Sequence, residues 1–292
     1  MKCTYLWLKE FVAFDYTPAE LAEKLTLLGL EVDGYETVRR NLKDTVVGKI
    51  VDRKNSGVLR MDVGNEIIDV ANSGHLPAER QMVVVRKKDN KGEITTYEML
   101  QISDDESAIF VEDQTESGKK ISEIIPEEDV VYDIDLTPNR PDCLSILGIA
   151  RELATLTGNP LRLPETKVVE VDAAAADYVG VSIETADGCP RYAARMIRDI
   201  SIQPSPLWIN DRLAKVGLRA INNVVDATNY VMQELGHPLH AFDYQLIRNR
   251  EIQVRLSRHG EYFITLDEKG YTLDDETVLI CDGKRTVAIG GI

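Results

Sequence analysis

The chain has 292 residues, more than a single small core needs, so two or three domains are expected. Its 49 acidic against 34 basic residues give a net charge of -15, which argues against coating nucleic acid over the whole surface, because neutralising phosphates takes clustered Lys and Arg. Cys3, Cys143, Cys189 and Cys281 show no CxxC or other metal spacing, "MKCTYLWLKEF" is apolar too briefly for a signal peptide, and no run is long enough to cross a bilayer; a cytoplasmic protein without membrane contact is expected.

In chain order, "TPAELAEKLTLLG" (17–29) predicts the first clear helix. Thr17 and Glu20 spell a capping box, Pro18 holds the first helical position, and Gly29 is placed to stop the helix in the left-handed conformation. Leu21, Leu25 and Leu28 share a face expected to pack on Leu6, Trp7 and Phe11. From about Val46 to Glu128 the period shortens. "TVVGKIVD", "VLRMDVG", "EIIDVA", "QMVVVRK", "ITTYEML" and "AIFVED" read as short strands separated by Gly, Asn, Asp and Ser, which predicts a small barrel or sandwich. The basic runs "VRRNLK" (38–43) and "VVRKKDNKG" (84–92) read as solvated loops.

A second helix is predicted over 137–158, with Asp142 as N-cap, Leu144, Leu147, Ala150, Leu153 and Ala154 as the buried stripe, and Gly158 as the stop. "EVDAAAADYVG" (170–180) has no periodicity and marks the neighbourhood of a domain boundary. "PRYAARMI" predicts a strand, "SPLWINDRLAKVG" a helix capped by Ser205 with Pro206 in its first turn, and 222–235 another helix. Strands follow in "EIQVRLS" and "YFITLD", and "TVLICDGKRTVAIGG" reads as a hairpin on Asp282-Gly283.

The chemistry concentrates in "INNVVDATNYVMQELGHPLHAFD" (221–243). Val224, Val225, Thr228, Met232 and Leu235 can face a core, while Asn222, Asp226 and Asn229 share another side. Asn is a modest helix former, so amides on that side point to hydrogen bonds with loops or a ligand rather than to a merely solvated face. After Gly236, Pro238 forbids further helix, and His237 and His240 are presented on an irregular turn. A histidine bonded to backbone and a zinc set of His237, His240 and Asp243 are the competing readings, although no HExxH pair is present. No phosphate-cradling glycine loop and no GxSxG elbow occur.

The segments "DIDLTPNRPDCLSILGIARELATLTG", "CPRYAARMI", "SPLWINDRLAKVGLRAINNVVDATNYVMQELGHPLHAFD" and "AIGGI" come in an order that resembles the β subunits of bacterial phenylalanyl-tRNA synthetases, over residues 1–40 and about 129–292. The resemblance implies a multidomain α+β fold: a small helical/β domain interrupted by an oligonucleotide-binding (OB)-like β-barrel insert, then an α+β editing module that is truncated. The implied boundaries are 1–45, 46–128 (the insert), 129–172 and 173–292. The family's His-Pro-x-Ala turn is replaced by "RKNSGV", and the insert is short and not basic, which argues against it as a tRNA-binding surface.

The same resemblance implies the function. Such enzymes charge tRNA(Phe), and their editing modules hydrolyse tyrosine mistakenly attached to it. His240 matches the "PxHAFD" histidine that would orient the ester or water; Asn229 and Thr228 match the pocket's "TNY" residues; Arg219 stands where a basic residue precedes the helix. Asn222, Asp226 and His237 are expected to brace the turn, and Ala220 replaces a frequent proline. His240 and Asn229 are expected to converge on a cavity for a tyrosyl group. Neither metal nor cofactor is expected for these residues; ATP and magnesium belong to the full enzyme, an α2β2 heterotetramer with the synthetase α subunit. The acidic residue credited with reading the tyrosine hydroxyl would follow Ile292, so weak or absent editing by the 292 residues alone is expected. A noncatalytic tRNA- or RNA-binding module is the alternative reading.

Overall fold

The computed structural model describes residues 1–54, 57–71, 82–88, 91–265 and 268–291. The chain forms two compact units, one of Met1–Glu165 with Ile202–His240, the other of Thr166–Ser201 with Ala241–Ile292. The segment Ile202–His240, expected in the last domain, therefore packs with the first unit.

In the first unit, strand β1 (Lys2–Thr4) runs into helix α1 (Tyr5–Phe11), which starts where the Thr4 hydroxyl accepts from the Trp7 N–H. Helix α2 (Pro18–Leu27) carries the expected capping box, and Gly29 is left-handed behind it. Leu21 and Leu25 join Trp7, Leu8 and Phe11 in one core. Leu28 is only half-buried and Leu6 is exposed, because α1 turns the opposite side to α2. Strand β2 (Glu31–Arg39) leads into the insert.

The insert holds strands β3 (Thr45–Lys54), β4 (Val58–Asp62), β5 (Ile67–Ala71), β6 (Met82–Lys88) and β7 (Lys91–Ile94), which close into a barrel in the order β3-β4-β5-β7-β6. All pairs are antiparallel except β5 with β7. Two expected strands are corrected. "ITTYEML" leaves the ladder after Ile94, and "AIFVED" makes only the bridges Thr96↔Ala108 and Val83↔Phe110. Closure leaves them no free edge; Tyr97, Leu100, Ile102, Ile109 and Val111 instead pack with Val47, Met82 and Val84, on the face of β6 opposite to Val83 and Val85, which join a separate core with Met61, Ile68 and Val70. Parts of "RKNSGV", "VANSG", "QMVVVRK" and "VVRKKDNKG" lie outside the described residues.

Strand β8 (Glu128–Asp135) returns to form the sheet β1-β8-β2. Helix α3 (Ile146–Thr157) begins nine residues later than predicted. Its N-cap is Ser145, whose hydroxyl accepts from the Gly148 N–H at 3.0 Å, not Asp142. Pro141–Cys143 is a separate 3-10 turn in which the Arg140 guanidinium grips Asp142 through both oxygens, so that carboxylate is not available as a cap. Gly148 has no room for a side chain, since a Cβ would lie 1.9 Å from the Asp142 carbonyl oxygen. Leu147, Ala150 and Leu153 are buried as expected; Leu144 precedes the helix and is exposed.

Helices α4 (Leu207–Lys215) and α5 (Asn223–Leu235) complete this unit. The Ser205 hydroxyl does not cap α4, being committed elsewhere. Four charges seat α4: Arg40 pairs with Asp211 at 2.8 Å, and Lys215 with Asp211 at 2.7 Å and Asp129 at 3.2 Å, all nearly excluded from water. Such a buried set balances its own charge, so losing one member is far costlier than never having had the set.

In the second unit, β9 (Gly180–Ile183), β10 (Glu251–Leu256), β13 (Val278–Asp282) and β14 (Thr286–Ile289) form a sheet in the order β14-β13-β10-β9, while β11 (Tyr262–Ile264) pairs with β12 (Gly270–Thr272). The expected hairpin is β13–β14, its turn held by the Asp282 carboxylate accepting from the Lys284 and Arg285 N–H groups at 2.9 and 2.8 Å. "PRYAARMI" is not a strand. The place beside β10 is taken by β9, a parallel neighbour that follows the featureless Ala-rich run. Leu266 and Asp267 of "YFITLD" lie outside the described residues. All four cysteines are free, and burial pushes the Cys3 thiol up to about 12. Among the described residues no helix is long and apolar enough to cross a membrane.

Candidate functional site

Helix α5 starts because Asn222, extended, accepts from the Val224 and Val225 N–H groups at 3.1 and 3.0 Å. It stops at Gly236, whose φ of 75° suits glycine and whose missing Cβ would approach Ser145 Cβ at 3.1 Å. The stop was legible in the sequence; Asn222, expected on a face of the helix, is instead its cap, and the side of the helix that faces inward was not legible. Val224, Val225, Thr228 and Met232 are half-buried and Leu235 is exposed. The buried positions are Asp226 and Glu234, with Tyr230 between them at the same spacing of four.

Each of these polar groups is satisfied. Asp226 accepts from the Ser205 hydroxyl and from the Ile221 N–H at 2.8 Å. Glu234 accepts from Trp7 Nε1 at 2.9 Å and from the Tyr230 hydroxyl. Tyr230 stacks on Trp7 with centroids 5.1 Å apart and accepts from Arg212 at 2.9 Å. Arg212 lies 5.3 Å from the Trp7 ring and 5.4 Å from that of Trp208, and also pairs with Glu10. Burial raises the Tyr230 pKa, and its hydrogen bond to Glu234 adds to the rise, so the phenol stays protonated as a donor. This network displaces the expected apolar stripe because its members pair with one another and with α1 and α4, leaving no unmet polar group inside. The series 222, 226, 230, 234 is the sequence signal that could have found it.

The sequence-predicted residues thus divide. Asn222 and Asp226 are committed to the helix and to the chain entering it. The Thr228 hydroxyl donates to the Val225 carbonyl at 2.7 Å, which leaves its oxygen lone pairs for a further donor. Asn229 is half-buried and Arg219 exposed, and among the described residues neither side chain has a hydrogen-bond or ionic partner. His237 and His240 are exposed beyond Gly236, His240 being the last residue of the first unit. No hydrogen bond joins Arg219, Thr228, Asn229 and His237 to one another among the described residues.

Two clefts are formed by other residues. One of about 320 Å³ is lined by Ala22, Thr26, Val32 and Tyr35 in the first unit. The other, about 520 Å³, lies in the second unit between the β10–β11 connection and the β13–β14 turn. Neither is lined by His240 or Asn229. Asp142, Cys143 and Glu152 bring three possible metal-ligating atoms within 4.8 Å of one another, but the Arg140 guanidinium already pairs with both carboxylates there and holds Asp142 down at about 2.

The B3/4 domain family model matches residues 188–292. The phenylalanine–tRNA ligase β subunit of Syntrophus aciditrophicus is 39% identical over all of this chain, which covers 39% of its length. Those of Syntrophotalea carbinolica and Thermotoga maritima are 37% and 36% identical, with 39% and 40% of their lengths covered. The chain therefore spans about 40% of the length of the curated relatives it matches. From its first residue to its last, this chain is related to the β subunits of phenylalanine–tRNA ligases.

Proposed function

We propose that the chain serves as the N-terminal part of a phenylalanine–tRNA ligase β subunit, contributing to the charging of tRNA(Phe) and to hydrolysis of Tyr-tRNA(Phe). In this reading its partners are an α subunit, in an α2β2 assembly, and tRNA(Phe); ATP and magnesium serve the charging reaction elsewhere in that assembly. Residues 46–128 act as an OB-like insert, and α5 with the turns on either side of it builds the editing site in the cytoplasm.

The observation that carries the editing assignment is the division among the polar groups of α5 and its approach. Asn222 and Asp226 are saturated, whereas Asn229 and Arg219 have no partner within the described chain. A half-buried amide with unused donors and acceptor is suited to a ligand it can bond. Editing needs such groups: a pocket that hydrogen-bonds the tyrosine hydroxyl rejects phenylalanine by about 10⁴ or more, which an apolar pocket cannot do. In the hydrolysis, water adds to the ester carbonyl, the bond from that carbon to the ribose oxygen breaks, and the ribose oxygen takes up a proton. His240 orients water or ester, Thr228 and Asn229 hold the amino acid, Arg219 faces the tRNA end, and His237 supports the turn.

The test is release of free tyrosine from Tyr-tRNA(Phe). The 292 residues alone should give slow release or none. A chimera in which they replace the matching region of the Thermotoga maritima β subunit, assembled with its α subunit, should edit. His240→Ala should lower that rate by about 100-fold or more, while phenylalanine charging is retained. Equal tyrosine release by the His240→Ala chimera would overturn the assignment.

A further inference from the structure

The cleft in the second unit collects cations that are scattered in the sequence. Arg255 comes from β10, Arg258 from the connection after it, and Lys284 and Arg285 from the β13–β14 turn. Pairing of β10 with β13 is what brings them together. Among the described residues two carboxylates line the same space, and both are occupied. Glu261 accepts from both Arg255 Nη atoms at 2.8 and 2.7 Å, from the Thr286 hydroxyl at 2.9 Å and from the Arg258 N–H at 3.0 Å; the Arg255 bonds chiefly hold it at about 2. Asp282 accepts the turn N–H groups and Arg285 Nε. The Arg258 guanidinium and the Lys284 ammonium are exposed and, among the described residues, have no anionic partner. The cleft thus carries a local positive excess in a chain of net charge -15.

Its shape and lining narrow the ligand. Its volume of about 520 Å³ exceeds one phosphate, its rim at Arg258, Gly260 and Lys284 is open to solvent, and among the described residues no Phe, Tyr or Trp lines it, His259 being its one ring. A base would find only the exposed His259 ring to stack on, whereas a run of phosphodiesters would meet several cations, two of them unpaired. We propose that this cleft binds the sugar–phosphate backbone of RNA, with Arg258 and Lys284 as its phosphate contacts and Arg255, locked on Glu261, as the wall that sets their spacing. The choice of RNA rests on the ligase reading above; the contact is independent of sequence and positions the RNA without selecting it.

The experiment measures binding of fluorescently labelled tRNA(Phe) to the 292-residue protein by anisotropy across a salt series, with inorganic pyrophosphate as competitor. Arg258→Glu with Lys284→Glu should weaken tRNA binding about ten-fold or more at low salt and flatten the dependence of log K on log salt by about two. Arg258→Gln with Lys284→Gln should lie between, and Arg258→Lys with Lys284→Arg should restore binding. Melting curves matching the parent keep these differences from being misread as unfolding. Unchanged affinity and slope in the charge-reversed protein would overturn the proposal. Pyrophosphate bound at the cleft without displacing tRNA would also overturn it, leaving a small-anion site. The tyrosine-release assay reports separately: a chimera that edits but whose cleft variants bind normally sinks the cleft alone, and cleft-dependent binding without tyrosine release sinks the editing assignment alone.

Discussion

Helices α3 and α5 have the same punctuation and opposite interiors. Each starts on a polar cap, Ser145 or Asn222, and each stops on a left-handed glycine. α3 then buries Ile146, Leu147, Ile149, Ala150 and Leu153, whereas α5 buries Asp226 and Glu234 and leaves its valines and Met232 half-covered. An aliphatic stripe holds a helix by area and tolerates small shifts. A stripe of hydrogen-bonded groups holds it by direction, fixing rotation about its own axis as well as position. Under the proposed function, in which α5 presents Thr228 and Asn229 to a ligand, directional anchoring is the more useful kind.

The largest expected way to break the contrast is Asp226→Ala, which removes a fully buried acceptor of two hydrogen bonds and should destabilise the first unit by about 4 kcal/mol in urea unfolding. A loss under 1 kcal/mol would mean that α5 is held by area after all. Leu153→Ala in α3 should cost about 3 kcal/mol through the cavity it leaves, with no change in tyrosine release by the chimera. Asn222→Ala should cost about 1 kcal/mol as a lost cap, and because it frees the entry to α5 it should also lower editing, an effect Leu153→Ala should lack. The smallest effect belongs to Met232→Gln, within about 0.5 kcal/mol, since that side chain is only half-buried. A larger penalty would show that the outward side of α5 is covered in solution.

Legibility in the sequence followed the range of the forces involved. Caps and stops are local chemistry, and Thr17, Glu20, Gly29, Gly158 and Gly236 were readable from a few neighbours. Asp142 misled because a nearer partner, Arg140, had claimed it. The barrel was readable as closely spaced strands, yet its last two runs were not, because only closure decides which runs find an edge. The inward stripe of α5 was missed because its partners are remote: Trp7 lies 227 positions from Glu234, and Ser205 lies 21 from Asp226. The basic cleft was missed for the same reason, since Arg258 and Lys284 meet only through β10–β13 pairing. Of the candidate residues, the motif resemblance named His240, Asn229, Thr228 and Arg219, and the hydrogen-bond pattern then set Asn229 and Arg219 apart from the committed Asn222 and Asp226.

The insert leaves and rejoins its host at one rung. Arg39 and Glu128 are register partners at the end of β2 and β8, and their side chains pair at 2.7 Å, so 88 residues of chain are looped out between adjacent strands. A host sheet built this way meets a slow, entropically costly search if the loop is an open coil, and a short one once the barrel has collapsed and drawn its two ends together. The barrel thereby serves as a folding staple for the domain around it, whatever it binds.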